Sequence, residues 1–220
     1  MLGLAVGCLA MASPVITSER LELRSALLSR LPSSGPPTFV RDELQGAVED
    51  LEQLEYVPQT AEFLRLGITG TWSLRALSEP SHSSPLDAFE MRTAAVDLLQ
   101  VTQTIDGKGQ TLTAADFQLS DDEDLCGKLE YSGMVSLTPM ADSVDLRSEA
   151  PRLRLPRAPR SMDIPKLMQV LHARLSPEFR AEDGVRLGLQ TTYMDEEMRI
   201  ARCTTGALRG ECVVYVRNST

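Results

Sequence analysis

The spacing of apolar residues changes near Gly70 from a repeat of about 3.6 to a repeat of about 2, which one later helical segment interrupts. Nothing else in the sequence constrains the fold as strongly. The first period buries one face of a helix and the second buries one face of a strand. In GTWSLRAL, Trp72, Leu74 and Ala76 fall on one face, with Thr71, Ser73 and Arg75 on the other. In KLEYSGMVSL, Leu129, Tyr131, Val135 and Leu137 alternate with Lys128, Glu130, Ser132 and Ser136. In VRLGLQTTY the odd positions Val185, Leu187 and Leu189 are apolar. The run 94–105 changes phase at Leu98-Leu99, which predicts a β-bulge, and Asp106-Gly107 supplies a hairpin turn after it. Strands are expected at 70–77, 94–105, 110–119, 127–138, 143–149, 152–156, 185–193, 197–203 and 211–217. Short alternating strands at this spacing predict an antiparallel sheet curled into a barrel, its interior the size of one small apolar ligand.

Helices precede the switch. Over 19–31, Leu23, Leu27 and Leu31 recur at i, i+4 and i+8 with Leu28 beside them, and the PSSGPP break at 32–37 ends the run. Thr38 is read as the N-cap of a second helix, with Asp42 and Glu43 in its first turn. Leu44, Val48, Leu51 and Leu54 give that helix its buried face, and Pro58 stops it. A later helix within MDIPKLMQVLHARL places Ile164, Leu167, Leu171 and Leu175 on one face, as a plug or lid for one end of the barrel. The expected fold class is α+β, with helices over about 19–55 and a β-barrel over about 70–217.

Residues 1–18 are set apart as a residual targeting segment. MLGLAVGCLAMA ends in an A-x-A like that of a secretory signal, but a basic n-region is missing. A truncated targeting peptide and a late-started reading frame account for it equally. The apolar run is shorter than the roughly 20 residues of a membrane span. The formal charge of −9 provides no basic face and argues against a nucleic-acid partner.

Chemistry-bearing motifs are few. The cysteines at 8, 126, 203 and 212 form no C-x-x-C pair, so no zinc site is expected. Cys203 and Cys212 flank a hairpin loop, where either two thiols or a disulfide would fit. His82 and His172 have no nucleophile at a readable spacing. The run 121–124 is read as a turn, since it lacks the loop glycine and distal glutamate of an EF-hand, and Gly107-Lys108-Gly109 is too short for a phosphate loop. Asn218-Ser219-Thr220 is a glycosylation sequon that matters only in a secreted protein. Gly70-x-Trp72 opens the first barrel strand, where glycine permits a tight turn and the indole covers the opening. A guanidinium from the last strands would stack on that indole. Arg199 and Arg202 are the candidates, with Asp195 as carboxylate partner, so that Gly70, Trp72, Asp195, Arg199 and Arg202 form a structural latch.

TTYMDEEMRIAR, followed by a turn and VVYVR, resembles the C-terminal signature of the plastid lipid-associated proteins, the plant fibrillins. Thr192, Tyr193, Asp195, Arg199, Ile200 and Arg202 match the family pattern in order. DLEQLEYVPQ and GTWSLR resemble its N-terminal segments, so the likeness extends over roughly 20–217. Cys203 stands where the family usually has glycine and the loop to Val213 is longer, which marks a divergent member. The resemblance implies a lipocalin-like barrel binding prenyl lipids, quinones, tocopherols or carotenoids at plastoglobules or thylakoids, without enzymatic activity or cofactor. Its partners would be a hydrophobic small molecule or lipid and, peripherally, a lipid surface met through apolar loop tips or the N-terminal helices.

The barrel-lining candidates are Trp72, Leu74, Leu129, Tyr131, Val135, Leu187 and Leu189. A lumen lined in this way desolvates an apolar chain at about 25 cal/mol per Å². The alternative is a scaffold for prenyl-lipid enzymes whose barrel is filled by its own side chains, with Trp72, Phe117, Tyr131, Met134 and Tyr193 as fillers. A third reading, an isoprenoid cyclase or isomerase with Asp195 or Glu197 as acid, requires a buried carboxylate of raised pKa.

Overall fold

Alternation along nine segments of this chain leaves each strand with one apolar and one polar face, and the structure curls those apolar faces inward. The computed structural model describes residues 14–54, 57, 60–78, 96–119, 122–138, 143–156, 163–174, 186–205 and 209–218. In chain order the elements are α1 (Pro14–Arg30), β1 (Thr38–Val40), α2 (Asp42–Glu52), α3 (Ala61–Ile68), β2 (Gly70–Ser78), β3 (Val96–Ile105) and β4 (Gln110–Leu119). β5 (Asp122–Leu137), β6 (Ser143–Ser148), β7 (Arg152–Arg154), α4 (Ile164–Arg174), β8 (Arg186–Met194), β9 (Met198–Cys203) and β10 (Cys212–Arg217) follow. The sheet runs β1-β2-β10-β9-β8-β6-β5-β4-β3, and β3 pairs back onto β2. Eight antiparallel strands therefore close a barrel behind N-terminal helices, the α+β class expected from the periodicity. β1 adds to β2 in parallel outside the ring, and β7 adds to β5.

Three apolar clusters divide the molecule. One lies inside the barrel and joins Trp72, Leu74, Val101, Phe117, Leu129, Tyr131 and Tyr215 to Leu167 and Leu171 of α4. A second inward cluster gathers Ile105, Val144, Leu146, Leu187, Leu189 and Met194 against Leu64 and Ile68 of α3, with Val135 partly buried beside it. The third lies outside the wall, where Leu27, Leu44, Val48 and Leu51 of α1 and α2 cover Ala76, Tyr193, Ile200 and Val214.

Bulges decide several faces. The β3–β4 register shifts between Leu98 and Gln100, where the change of phase predicts it. A second shift leaves Arg75 unopposed between Leu74 and Ala76, so Ala76 turns outward to the helices while Leu77 turns in. Ala76 therefore does not share the face of Trp72 and Leu74, contrary to strict alternation. A third shift, at Thr192, sends Tyr193 to the helix side and returns Met194 to the lumen.

Some expectations need correction. Thr38 does not cap α2; it starts β1, which pairs with Ala76–Ser78, and α2 begins at Asp42 after an extended Arg41 that gives no side-chain cap. α3 was not expected from the sequence. Its cap is Thr60, whose side chain accepts from Phe63 N at 3.2 Å. β5 begins at Asp122, so Asp122, Glu123 and Asp124 of the acidic run belong to a strand and not to a turn. In the 106–109 hairpin the left-handed glycine is Gly109 (φ 82°), while the Asp106 carboxylate accepts from Lys108 N and Gln110 N, both at 2.8 Å. Residues 1–13 of the targeting segment, His82, Pro58, Val185, Leu175 and the last two sequon residues lie outside the described residues.

Candidate functional site

The inward positions of a closed barrel are where a ligand would lodge, so their occupancy decides what the lumen can do. Trp72, Leu74, Leu129, Tyr131, Leu187 and Leu189 all face inward, as expected, and are between 0 and 3 % exposed. A void large enough for water would leave its lining atoms accessible, so these side chains fill the space between them. Val135 is inward and only partly buried. Of the proposed fillers, Trp72, Phe117 and Tyr131 are inside. Tyr193 lies beneath the helices and Met134 is exposed.

Polar side chains share the interior. Gln103, Thr113, Thr191 and Arg199 are each no more than 2 % exposed. Gln103 stands opposite Thr113 in the β3–β4 register, and its Nε2 donates to Thr113 Oγ1 at 3.5 Å. Arg199 faces Tyr215 across β9–β10, with its guanidinium 5.1 Å from the ring centroid. Sequence reasoning did not foresee Gln103 and Thr113. Their place on the same alternating face as Val101 and Ala115 was the available signal.

The Gly-x-Trp latch is built differently from expectation. Gly70 has φ 131°, a conformation that favours glycine, and a Cβ there would run into the Arg217 guanidinium. Trp72 Nε1–H donates to the Ile68 carbonyl at 2.8 Å, fixing the indole under the end of α3. The guanidinium on the ring is that of Arg217, 4.1 Å from the centroid, and not that of Arg199 or Arg202. Arg217 faces Trp72 in the β2–β10 register. It also donates to the carbonyls of Thr69 and Glu196, each at 2.7 Å, and of Gly67. Burial lowers its pKa, because withdrawing the cation from water disfavours the charged form.

Asp195 and Arg202 instead fasten the N-terminal helices. Asp195 Oδ1 accepts from the backbone of Glu197 and Met198 at 2.8 Å, closing the β8–β9 turn. Its Oδ2 accepts from Tyr193 Oη at 2.7 Å and from Arg24 of α1 at 3.3 Å. Burial first, and then the Asp195 hydrogen bond, push the Tyr193 phenol well above its ordinary range. Arg202 grips Glu52 of α2 in a two-point pair, Nε to Oε1 at 2.7 Å and Nη2 to Oε2 at 2.6 Å. That hydrogen bonding raises the Arg202 pKa. Thr192 Oγ1 donates to the same Glu52 carboxylate at 2.7 Å. The charge-rich segment thus carries two clasps that hold α1 and α2 to the wall.

A cleft of about 830 Å³ lies over β3, β4, β5 and β7, with Leu99, Leu153 and Leu155 among its apolar lining residues. Its charged rim is paired, Lys128 with Asp116 at 3.2 Å and Arg154 with Glu130 at 2.7 Å. Cys203 and Cys212 are both buried, but Cys203 belongs to the inward cluster and Cys212 to the helix-facing one. Side chains on opposite faces of a sheet cannot bridge, which removes the disulfide reading. Burial pushes the Cys212 thiol up to about 12. Among the described residues no cluster of His, Cys, Asp or Glu is placed to hold a metal ion, and no helix is long and apolar enough to cross a membrane.

A scan against protein-family models finds no match for the chain, and a search among curated proteins finds no relative. The likeness to the plastid lipid-associated proteins therefore rests on the quoted motifs.

Proposed function

We propose that this is a non-enzymatic lipid-binding protein of the plastid, taking the apolar chain of a prenyl lipid or carotenoid and working at plastoglobule or thylakoid surfaces. The observation that carries this reading is the inward cluster shared by the barrel and α4. There the lining is apolar and aromatic, and the covering element is a helix instead of a hydrogen-bonded strand. An eight-stranded barrel has an interior that either fills with its own side chains or holds one small ligand. Compartment and ligand class come from the motif resemblance. Exposed Phe63 and Leu66 on α3, 64 and 66 % accessible, supply apolar contact for a lipid surface.

One observation favours the alternative, a scaffold for prenyl-lipid enzymes. Most inward side chains, Trp72, Leu74, Phe117, Leu129 and Tyr131 among them, are already buried against one another. Purification from a host supplied with thylakoid lipid extract, followed by native mass spectrometry and organic extraction, separates the two. A stoichiometric quinone, tocopherol or carotenoid supports the lipid-binding barrel. A protein that reaches lipid droplets with nothing inside it supports the scaffold and rejects lumenal binding.

A further inference from the structure

Among the described residues, the barrel wall is incomplete along one line. β2 and β3 pair only over Gly70–Ser73 against Thr102–Ile105. Beyond that point β10 holds one edge of β2, and β1 takes the other edge at Ala76–Ser78. The first half of β3, from Val96 to Val101, pairs with β4 alone. The two strands therefore part beyond Ser73 and Thr102, and α4 packs against β3. Leu167 and Leu171, one helical turn apart, enter the inward cluster there, with Met168 partly buried beside them.

α4 is self-contained. Asp163 caps it, its carboxylate accepting from Lys166 N at 3.1 Å and its carbonyl from Leu167 N at 3.0 Å. The helix therefore needs no barrel hydrogen bond to stay helical. Its described inward side chains, Leu167, Leu171 and Met168, are apolar, whereas α1 and α2 are clasped to the wall by Arg24–Asp195 and Glu52–Arg202. An apolar chain of similar area can replace two leucines without stranding any polar group, which would not hold for α1 or α2.

We propose that α4, packed beside β3, is a displaceable stopper over the inward cluster, and that the space vacated by Leu167 and Leu171 is the binding site for a single linear apolar chain, isoprenoid or acyl. Trp72, Leu74, Leu77, Val101 and Tyr215 belong to the same inward cluster. This rests on the lipid-binding reading above and adds the route and the competing group. The filled lumen is then the resting state, and chain binding is taxed by the fraction of molecules with α4 displaced.

The test compares binding of an 18-carbon fluorescent polyene fatty acid by the full chain and by Leu167→Ala/Leu171→Ala. The variant is expected to bind roughly tenfold more tightly, because it has less to displace. A variant that melts cooperatively, keeps its buried Trp72 emission and binds no more tightly than wild type overturns the stopper. Should the variant not fold, hydrogen exchange in the wild type decides: α4 amides are expected to exchange faster with the probe bound. Unchanged or slower exchange overturns the stopper. Probe bound with α4 unaffected rejects the stopper and leaves the lipid reading standing. No binding by either protein, once both are folded, rejects both.

Discussion

Arg217 holds the Trp72 end of the barrel, and it was not among the arginines that the sequence marked as candidates. Alternation tells which residues share a face, but not which residue on the next strand stands opposite, because register is set by bulges and turns. Trp72 was therefore legible as the cover of the barrel opening, while its partner Arg217 was not; Arg199 and Arg202 were nearer the recognisable motif. Arg217→Ala is expected to cost about 2–3 kcal/mol, from the lost cation–π contact and charge-assisted hydrogen bonds, and to red-shift the emission of the single tryptophan. Thermal melting and fluorescence of the variant check both. Cys212 gives a pH dependence of definite sign. Burial raises its thiol from 9.0 to about 12, so the folded chain holds that proton more tightly than the unfolded chain. Its contribution is complete below pH 9.0 and is lost as pH rises toward 12. Tyr193 shifts in the same direction. Cys212→Ala is expected to lose less melting temperature than wild type over that alkaline interval.

At the scale of elements, the strands were easy to read and the short helix was not. Segments such as β4, β6, β9 and β10 fall within a residue or two of expectation, because a half-buried strand must alternate. α3 escaped because its apolar residues lie on two faces. Leu64 and Ile68 turn to the barrel while Phe63 and Leu66 face solvent, and eight residues are too few turns for the period to stand out. β1 escaped because three residues are too few to show a period. The clasp between α2 and β9 predicts coupling: a double-mutant cycle on Glu52→Gln and Arg202→Gln should return about 1–3 kcal/mol, measured by denaturant unfolding. The β3–β4 hairpin makes a separate prediction. Gly109→Ala forces a left-handed alanine whose Cβ would lie 2.9 Å from the Val135 carbonyl. It should cost at least about 1–2 kcal/mol in the same assay.

For the whole molecule, the closed barrel and its class were legible because they follow from repetition, whereas the state of the lumen was not. A pattern of inward residues is the same whether their side chains meet one another or leave room, and only packing distinguishes the two. The order of the sheet also bears on how the protein comes into being. β10 sits between β2 and β9, so the ring cannot be completed while that segment is still being synthesised or threaded through a pore. Until it arrives, β2 and β9 expose bare edges, and their pairing spans most of the chain, an arrangement that folds slowly. A nascent chain of this design is an open sheet with unpaired edges until β10 is in place, and only then does it become a closed barrel.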